Sequence, residues 1–269
     1  MLDKSTYLEA IHREARALAE AAHGEMDAPV PSCPGWTVST LVTHLTGIYA
    51  HRIKIVGSRA TENTVRSYED LDLPPEYKSL FDAEFDTDAA DKQPVAPPGL
   101  LALFAQTAAK LEQTLGAADF EERVWTWFPP DQTAGFWARR MAQETAVHRW
   151  DTQLARGHTE PIEPELARDG IDEVFDIMAP ASRRRGETFR QGAGESYHFH
   201  RTDGPGEWLL RFAGDDMTVT HEHAKADAGV RGTASDLLLF LWGRIPASQV
   251  EVFGDAALLD RYVELVPPD

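Results

Sequence analysis

Three side chains in this sequence have the types and spacing of a metal centre. Trp137, Met141, Glu144, His148 and Asp151 recur at intervals of four, three, four and three, which places them on one helical face. The upper part of that face is apolar, so it points inward, and a buried carboxylate is costly unless it is paired or bound to a metal. Glu144 and His148, one turn apart, bring two donor atoms to a single ion, as two histidines four apart do in other zinc sites. A third donor must come from another helix. His44 lies in an apolar stripe with Leu41, Leu45 and Ile48 and fits that role, while His51, seven residues on, competes for it. Two histidines and one glutamate leave coordination positions open, which marks catalytic rather than structural zinc. The plain alternative is a helix-surface Glu–His pair, worth roughly a few tenths of a kcal/mol, beside a hydrogen-bonded core histidine.

Long helices must hold these residues. Helical spacing runs from Ser5 to about His23. Thr37 is placed to cap a second helix carrying Leu41, His44, Leu45, Ile48 and Ile55. An irregular stretch rich in Asp, Glu and Pro follows, about Gly57 to Pro98, and connections that long are usually functional. A third helix fits Leu100 to Leu115 and a fourth about Thr133 to Arg156, with Val124 to Phe128 between them as a strand or an aromatic plug. These elements predict a four-helix bundle over 1–160. From 161 to 269 the texture is α+β: a helix from Pro164 to Arg184, alternating segments at Tyr197–His200, Trp208–Phe212 and Met217–Thr220, and a hairpin signal at Gly214-Asp215. A helix from Ala234 to Trp242, a short strand at Val250 to Phe253 and a final helix from Ala256 to Val266 complete a two-domain α+β chain.

The totals agree with a folded globular protein. Of 269 residues 42% are hydrophobic, with seven Trp and twelve Phe, enough for a sizeable core. The net charge of −18 repels phosphate backbones and anionic lipid surfaces, so neither nucleic acid nor membrane is an expected partner. Arg183-Arg184-Arg185, the one basic cluster, reads as a solvated helix end. A single cysteine, Cys33, allows no intrachain disulfide. With no signal-peptide pattern at Met1 to Ser5 and no apolar run of membrane length, a cytoplasmic location is expected.

The wording around the three residues is similar to a known family. Val30-Pro31-Ser32-Cys33-Pro34-Gly35-Trp36-Thr37-Val38 with Leu41-Val42-Thr43-His44-Leu45 resembles the opening of the mycothiol-dependent maleylpyruvate isomerases, a branch of the DinB-like metal-binding bundles. Glu144-Thr145-Ala146-Val147-His148-Arg149-Trp150-Asp151 resembles their second signature. Gly232 through Leu237, with Leu241-Trp242-Gly243-Arg244, resembles their C-terminal domain, which is similar to sterol carrier proteins. The likeness covers most of the chain except about Gly57 to Pro98.

The resemblance implies zinc, or another divalent metal, held by His44, Glu144 and His148. It also implies an exogenous thiol, mycothiol, that the metal activates as a thiolate to attack a small electrophilic substrate, in an isomerase or an S-transferase. Asp151 is implied as an acid that supports the metal site or positions substrate, or else as a member of a helix salt bridge. Arg244 is implied as a carboxylate holder in the family's Gly-Arg motif, or else as a C-cap arginine. Pro34-Gly35-Trp36 shapes the start of the second helix, and Cys33 is not assigned catalysis. Two other functions stay open: a hydrolase using metal-bound water, and a non-catalytic small-ligand carrier. His198, His200, His221 and His223, spaced by two within each pair, read as solvent-side strand residues, with a second metal site as the alternative. Trp125, Trp127 and Phe128 read as core aromatics or as pocket lining.

Overall fold

The computed structural model describes residues 1–85, 97–184 and 191–268. The chain divides into two compact units, Met1–Glu160 and Pro161–Asp269. Among the described residues no helix is long and apolar enough to cross a membrane.

The first unit contains α1 (Lys4–Ala22), α2 (Val38–Gly57), α3 (Lys78–Phe85), α4 (Leu100–Ala117) and α5 (Ala134–Ala155). Helices α1 and α2 each pack against both α4 and α5, closing a four-helix ring. Polar caps set where these helices start. Asp3 accepts from Thr6 N–H, and Thr133 from Phe136 N–H. Thr37 and Thr40 form a reciprocal capping box at the head of α2, on the residue whose type predicts it. In α1 the buried stripe is Tyr7, Ala10, Ile11, Glu14, Ala15 and Leu18, a helical period.

Helix α5 follows a different rule. Its side chains are buried from Ala134 to Gln153 except the half-buried Glu144, and they include Arg139, Arg140, Gln143, His148, Arg149 and Asp151. Buried polar groups on every side need partners, so this helix is tied to its neighbours by bonds as well as by packing. Arg149 is the clearest case: its Nε donates to Glu14 Oε2 of α1 at 2.7 Å, and its Nη1 to Gln153 Oε1 and the Glu160 carbonyl.

The stretch expected to be irregular is partly ordered. It holds 3-10 turns at Tyr68–Leu71 and Pro75–Tyr77 and then α3; its residues 86–96 lie outside the described ones. Phe81 of α3 packs on Tyr68 with ring centroids 5.2 Å apart and meets α2 at Gly47. A Cβ at Gly47 would stand 2.8 Å from Phe81 Cε1, so the absent side chain lets α3 approach. Val124 to Phe128 is not a strand. Arg123 makes one isolated bridge with Thr133, after which Trp125 packs on Trp137 and Trp127 on Phe136.

The second unit contains α6 (Pro164–Glu173), a π-helical turn (Val174–Met178), α7 (Ala179–Arg184), β1 (Gly192–Arg201), β2 (Glu207–Gly214), β3 (Asp216–Thr220), β4 (Ala228–Gly232), α8 (Ala234–Leu241), β5 (Glu251–Gly254) and α9 (Ala257–Leu265). The sheet order is β3-β2-β1-β4-β5, with β1 and β4 parallel and the other pairs antiparallel. Tyr197, Phe199, Trp208 and Phe212 are buried on the face toward the helices. Phe199 meets Phe175 and Tyr262 there, and Trp208 Nε1 donates to Asp172.

Several expectations for this half are corrected. The helix predicted from Pro164 to Arg184 is interrupted by the π turn. Strand β4 was not foreseen: Ala228-Gly229-Val230-Arg231-Gly232 has two glycines and one β-branched residue, a composition poor in strand signal. Arg183 is no solvated helix end. It is buried with its guanidinium 5.0 Å from the Phe212 ring centre and donates to the Asp215 carbonyl; Arg185 lies outside the described residues. His221 and His223 lie beyond β3 and not on a strand.

Candidate metal centre

Two elements deliver the donors. His44 comes from the second turn of α2, and Glu144 and His148 from the middle of α5. His44 Nε2 and His148 Nε2 each lie 3.3 Å from the same atom, Glu144 Oε1. The other carboxylate oxygen, Oε2, takes Arg140 one turn back, which leaves Oε1 facing both imidazoles. One donor atom from each of the three residues lies within 4.8 Å of the others. Donors bonded at about 2.0–2.2 Å to a tetrahedral ion sit about 3.4 Å apart. The donor set and its spacing therefore fit a divalent metal.

The arrangement behind His148 points the same way. Its Nδ1 lies 2.9 Å from Asp151 Oδ2, and a proton held on that side leaves the Nε2 lone pair facing Glu144 and His44. Asp151 is fully buried, and its Oδ1 accepts from Ser32 Oγ at 2.6 Å. Cys33 Sγ lies 3.6 Å from Oδ2. Both residues reach it because the chain doubles back before α2. Val30 N–H bonds to the Trp36 carbonyl, Pro29 pairs with Thr37, and Gly35 turns the chain with φ +85°, a value that favours glycine. The same loop lays the Trp36 ring 5.1 Å from the His44 ring and 6.1 Å from that of His148.

The charges suit ligation in part and oppose it in part. Burial alone would push the Glu144 carboxyl up, but Arg140, His148 and His44 outweigh it and hold the group well below its ordinary range, ionised. Burial likewise pushes the His148 imidazole down, yet its bonds to Asp151, Cys33 and Glu144 hold it well above its usual value. Without metal, His148 is therefore protonated near neutrality, and an ion must displace that proton because a ligand needs the lone pair. Raising the pH removes the competing proton and favours binding. Calorimetry of zinc binding at pH 7 in buffers of different ionisation enthalpy is expected to show about one proton released per ion, with affinity rising about tenfold per pH unit. Proton-neutral binding would contradict this.

The structure brings His44, Glu144, His148 and Asp151 together. Asp151 bonds to His148 one turn away on the same helix. Replacing it with asparagine keeps the shape and removes the charge behind the imidazole. Asp151→Asn is expected to weaken metal binding about 10- to 100-fold, measured by competition with a chelator. Unchanged affinity would deny Asp151 the supporting role.

His51 does not join the cluster: its Nε2 bonds to Asn63 Oδ1 at 3.1 Å, and burial and the neighbouring Arg52 push its pKa down to about 4. Arg244 lies in the C-terminal unit, just past the positive-φ Gly243 that ends α8, and its Nη1 donates to the Trp242 carbonyl. Three contributors escaped the sequence reading. Arg140 was detectable by its spacing from Glu144. Ser32 and the stacking of Trp36 were not, because they depend on the path of a loop.

A cavity of about 730 Å³ continues along the same side of α2, where Gly47, Ile48 and His51 follow His44 at helical spacing. Its wall is cationic at Arg52, Arg66 and Lys78 and apolar at Ile48, Tyr68 and Phe81. The Arg52 guanidinium lies 4.0 Å from the Trp137 ring centre.

Comparison with known proteins adds a family. Residues 7–153 match the family model of the mycothiol maleylpyruvate isomerase N-terminal domain, and residues 165–261 match that of the MDMPI C-terminal domain. The crystal structure of the mycothiol-dependent maleylpyruvate isomerase is similar over 93% of both chains, with TM-score 0.61 and 14% identity. A histidine-to-alanine mutant of that enzyme gives TM-score 0.60, 13% identity and the same coverage. At such identity the likeness shows the shared two-part α+β fold. No curated protein matches the chain.

Proposed function

The chain belongs to the mycothiol maleylpyruvate isomerase family, and from this we propose that it is a zinc-dependent enzyme that uses mycothiol to isomerise, or to transfer the thiol onto, a small anionic electrophile. The observation that carries the reading is the convergence of His44 Nε2 and His148 Nε2 on Glu144 Oε1. Zinc held there would supply the positive charge that lets an exogenous thiol ionise at neutral pH.

The protein's own residues do the rest. Asp151 orients His148 and keeps its ring from turning. Arg140 fixes the Glu144 carboxylate so that one oxygen faces inward. Trp36 packs against both imidazoles and limits how far they can turn. The cavity along α2 would take the substrate: Arg52, Arg66 and Lys78 would attract carboxylates, and Ile48 and Phe81 would receive the carbon skeleton. Arg244 is proposed to hold a substrate carboxylate through its bidentate fork. Addition of the thiolate to one carbon of a conjugated double bond moves its electron pair onto the conjugated carbonyl as an enolate and leaves a single bond. Rotation, then collapse of the enolate with expulsion of the thiolate, gives the geometric isomer with no net oxidation or reduction. A transferase differs in that the enolate takes up a proton and the thiol stays attached.

The test is to assay zinc-loaded protein with maleylpyruvate, with and without mycothiol. Isomerisation or adduct formation that requires the thiol is expected. Turnover that persists without any thiol would overturn the reading in favour of a hydrolytic or other thiol-free enzyme.

A further inference from the structure

The face of the sheet turned away from its helices carries a second group of donors that the proposed reaction does not use. His198 and His200 stand two residues apart on β1 and project from the same side. Glu207 of β2 is the direct cross-strand partner of His200. His223, from the segment after β3, completes the group, its ring centroid 5.0 Å from that of His198 and 5.9 Å from that of His200.

Contacts divide the Glu207 carboxylate. Oε1 meets His200 Nδ1 at 2.6 Å and His223 Nδ1 at 3.2 Å. Oε2 lies 2.6 Å from His198 Nε2, a buried ion-pair contact without the geometry of a hydrogen bond. An imidazole nitrogen and a carboxylate oxygen turned toward the same space both have lone pairs to offer an ion. One donor atom from each of His198, Glu207 and His223 lies within 4.8 Å of the others, a span that ligands at about 2.0–2.2 Å from a shared ion close with small rotations.

We propose that His198, Glu207 and His223 form a second divalent-metal site, selective for imidazole-preferring ions such as zinc, nickel and copper, with His200 holding the Glu207 carboxylate in place. Two nitrogens and one oxygen disfavour magnesium and calcium, which take all-oxygen sets. The side chain of His198 is 12% exposed and that of His223 76%. An ion therefore enters from solvent onto the fixed pair His198 and Glu207, and His223 closes over it. All these residues belong to the C-terminal unit, so the site stands or falls independently of the bundle.

The test uses tag-free full-length protein stripped by chelator and titrated with zinc by calorimetry and with cobalt(II) as an optical probe. Wild type is expected to bind two equivalents, His148→Ala one, His223→Ala one, and the double variant none. His223 is exposed and off the strands, so its loss spares the fold, and circular dichroism checks each variant. In the His148→Ala background, His223→Ala is expected to weaken the remaining equivalent by more than about tenfold, enough to take it out of the range in which the single variants are titrated. No binding in His148→Ala, or a remaining equivalent untouched by His223→Ala and His198→Ala, would overturn the second site. A wild type with a single equivalent, lost in His223→Ala and kept in His148→Ala, would support it while sinking the bundle centre.

Discussion

Alanine at His148 is expected to remove one equivalent of bound metal and to abolish thiol-dependent turnover. The side chain has two jobs that no neighbour can assume: its Nε2 faces the site beside Glu144 Oε1, and its Nδ1 engages the buried Asp151 carboxylate. Losing a partner behind a ligand costs about 10- to 100-fold in affinity, and losing the ligand itself costs more. Glu144 and His44 alone then hold the ion too weakly to survive purification. The variant also leaves Asp151 with Ser32 and Cys33 but without the imidazole that shares its charge. Elemental analysis of purified wild type and variant, beside an assay at saturating mycothiol, measures both effects. Equal metal content would refute the assignment of His148 as a ligand. Glu144→Gln serves as a second variant that keeps the volume of the side chain: it too is expected to lose the ion, since the amide oxygen carries no charge and is a poor ligand beside two imidazoles.

Much of the bundle could be read from local rules because its helices obey them. Thr37 caps α2, Leu41 and Leu45 form its stripe, and Glu144 and His148 share a face. The N-terminal family match over residues 7–153 spans the same motifs. What escaped was set by non-local contacts. Spacing could not choose between His44 and His51, which lie two turns apart on one face. The choice follows from where α5 crosses α2, with Glu144 beside His44 and Asn63 beside His51. Strand β4 has almost no local signal and exists because β1 and β5 pair with it. Arg183 reads as surface by type, yet the Phe212 ring and the backbone at Asp215 give it a buried place. The histidines of β1 and the β3 tail read as solvent-side by spacing alone, while the cross-strand Glu207 gathers three of them into one cluster.

The same reasoning predicts where the bundle is most fragile. Glu14→Ala is expected to destabilise the N-terminal unit by about 3–5 kcal/mol, the usual cost of removing one partner of a buried ion pair. Glu14 and Arg149 are both 3% exposed, and their contact joins α1 to α5 at 2.7 Å. Without the carboxylate, the guanidinium keeps the oxygens of Gln153 and Glu160 but loses the charge of Glu14. At about 2–4 °C per kcal/mol for a unit of this size, Tm falls by on the order of 10 °C. Arg149 is next to His148 in sequence but points to α1, so metal content and turnover well below the new Tm are expected to stay near wild type. Glu14→Leu combined with Arg149→Met removes both charges and is expected to recover most of the loss, since an apolar pair of similar volume is often neutral or better. Thermal unfolding of the single and double variants decides the matter. If Glu14→Ala costs less than about 1 kcal/mol, the pair behaves like an exposed salt bridge and does not clamp α1 to α5.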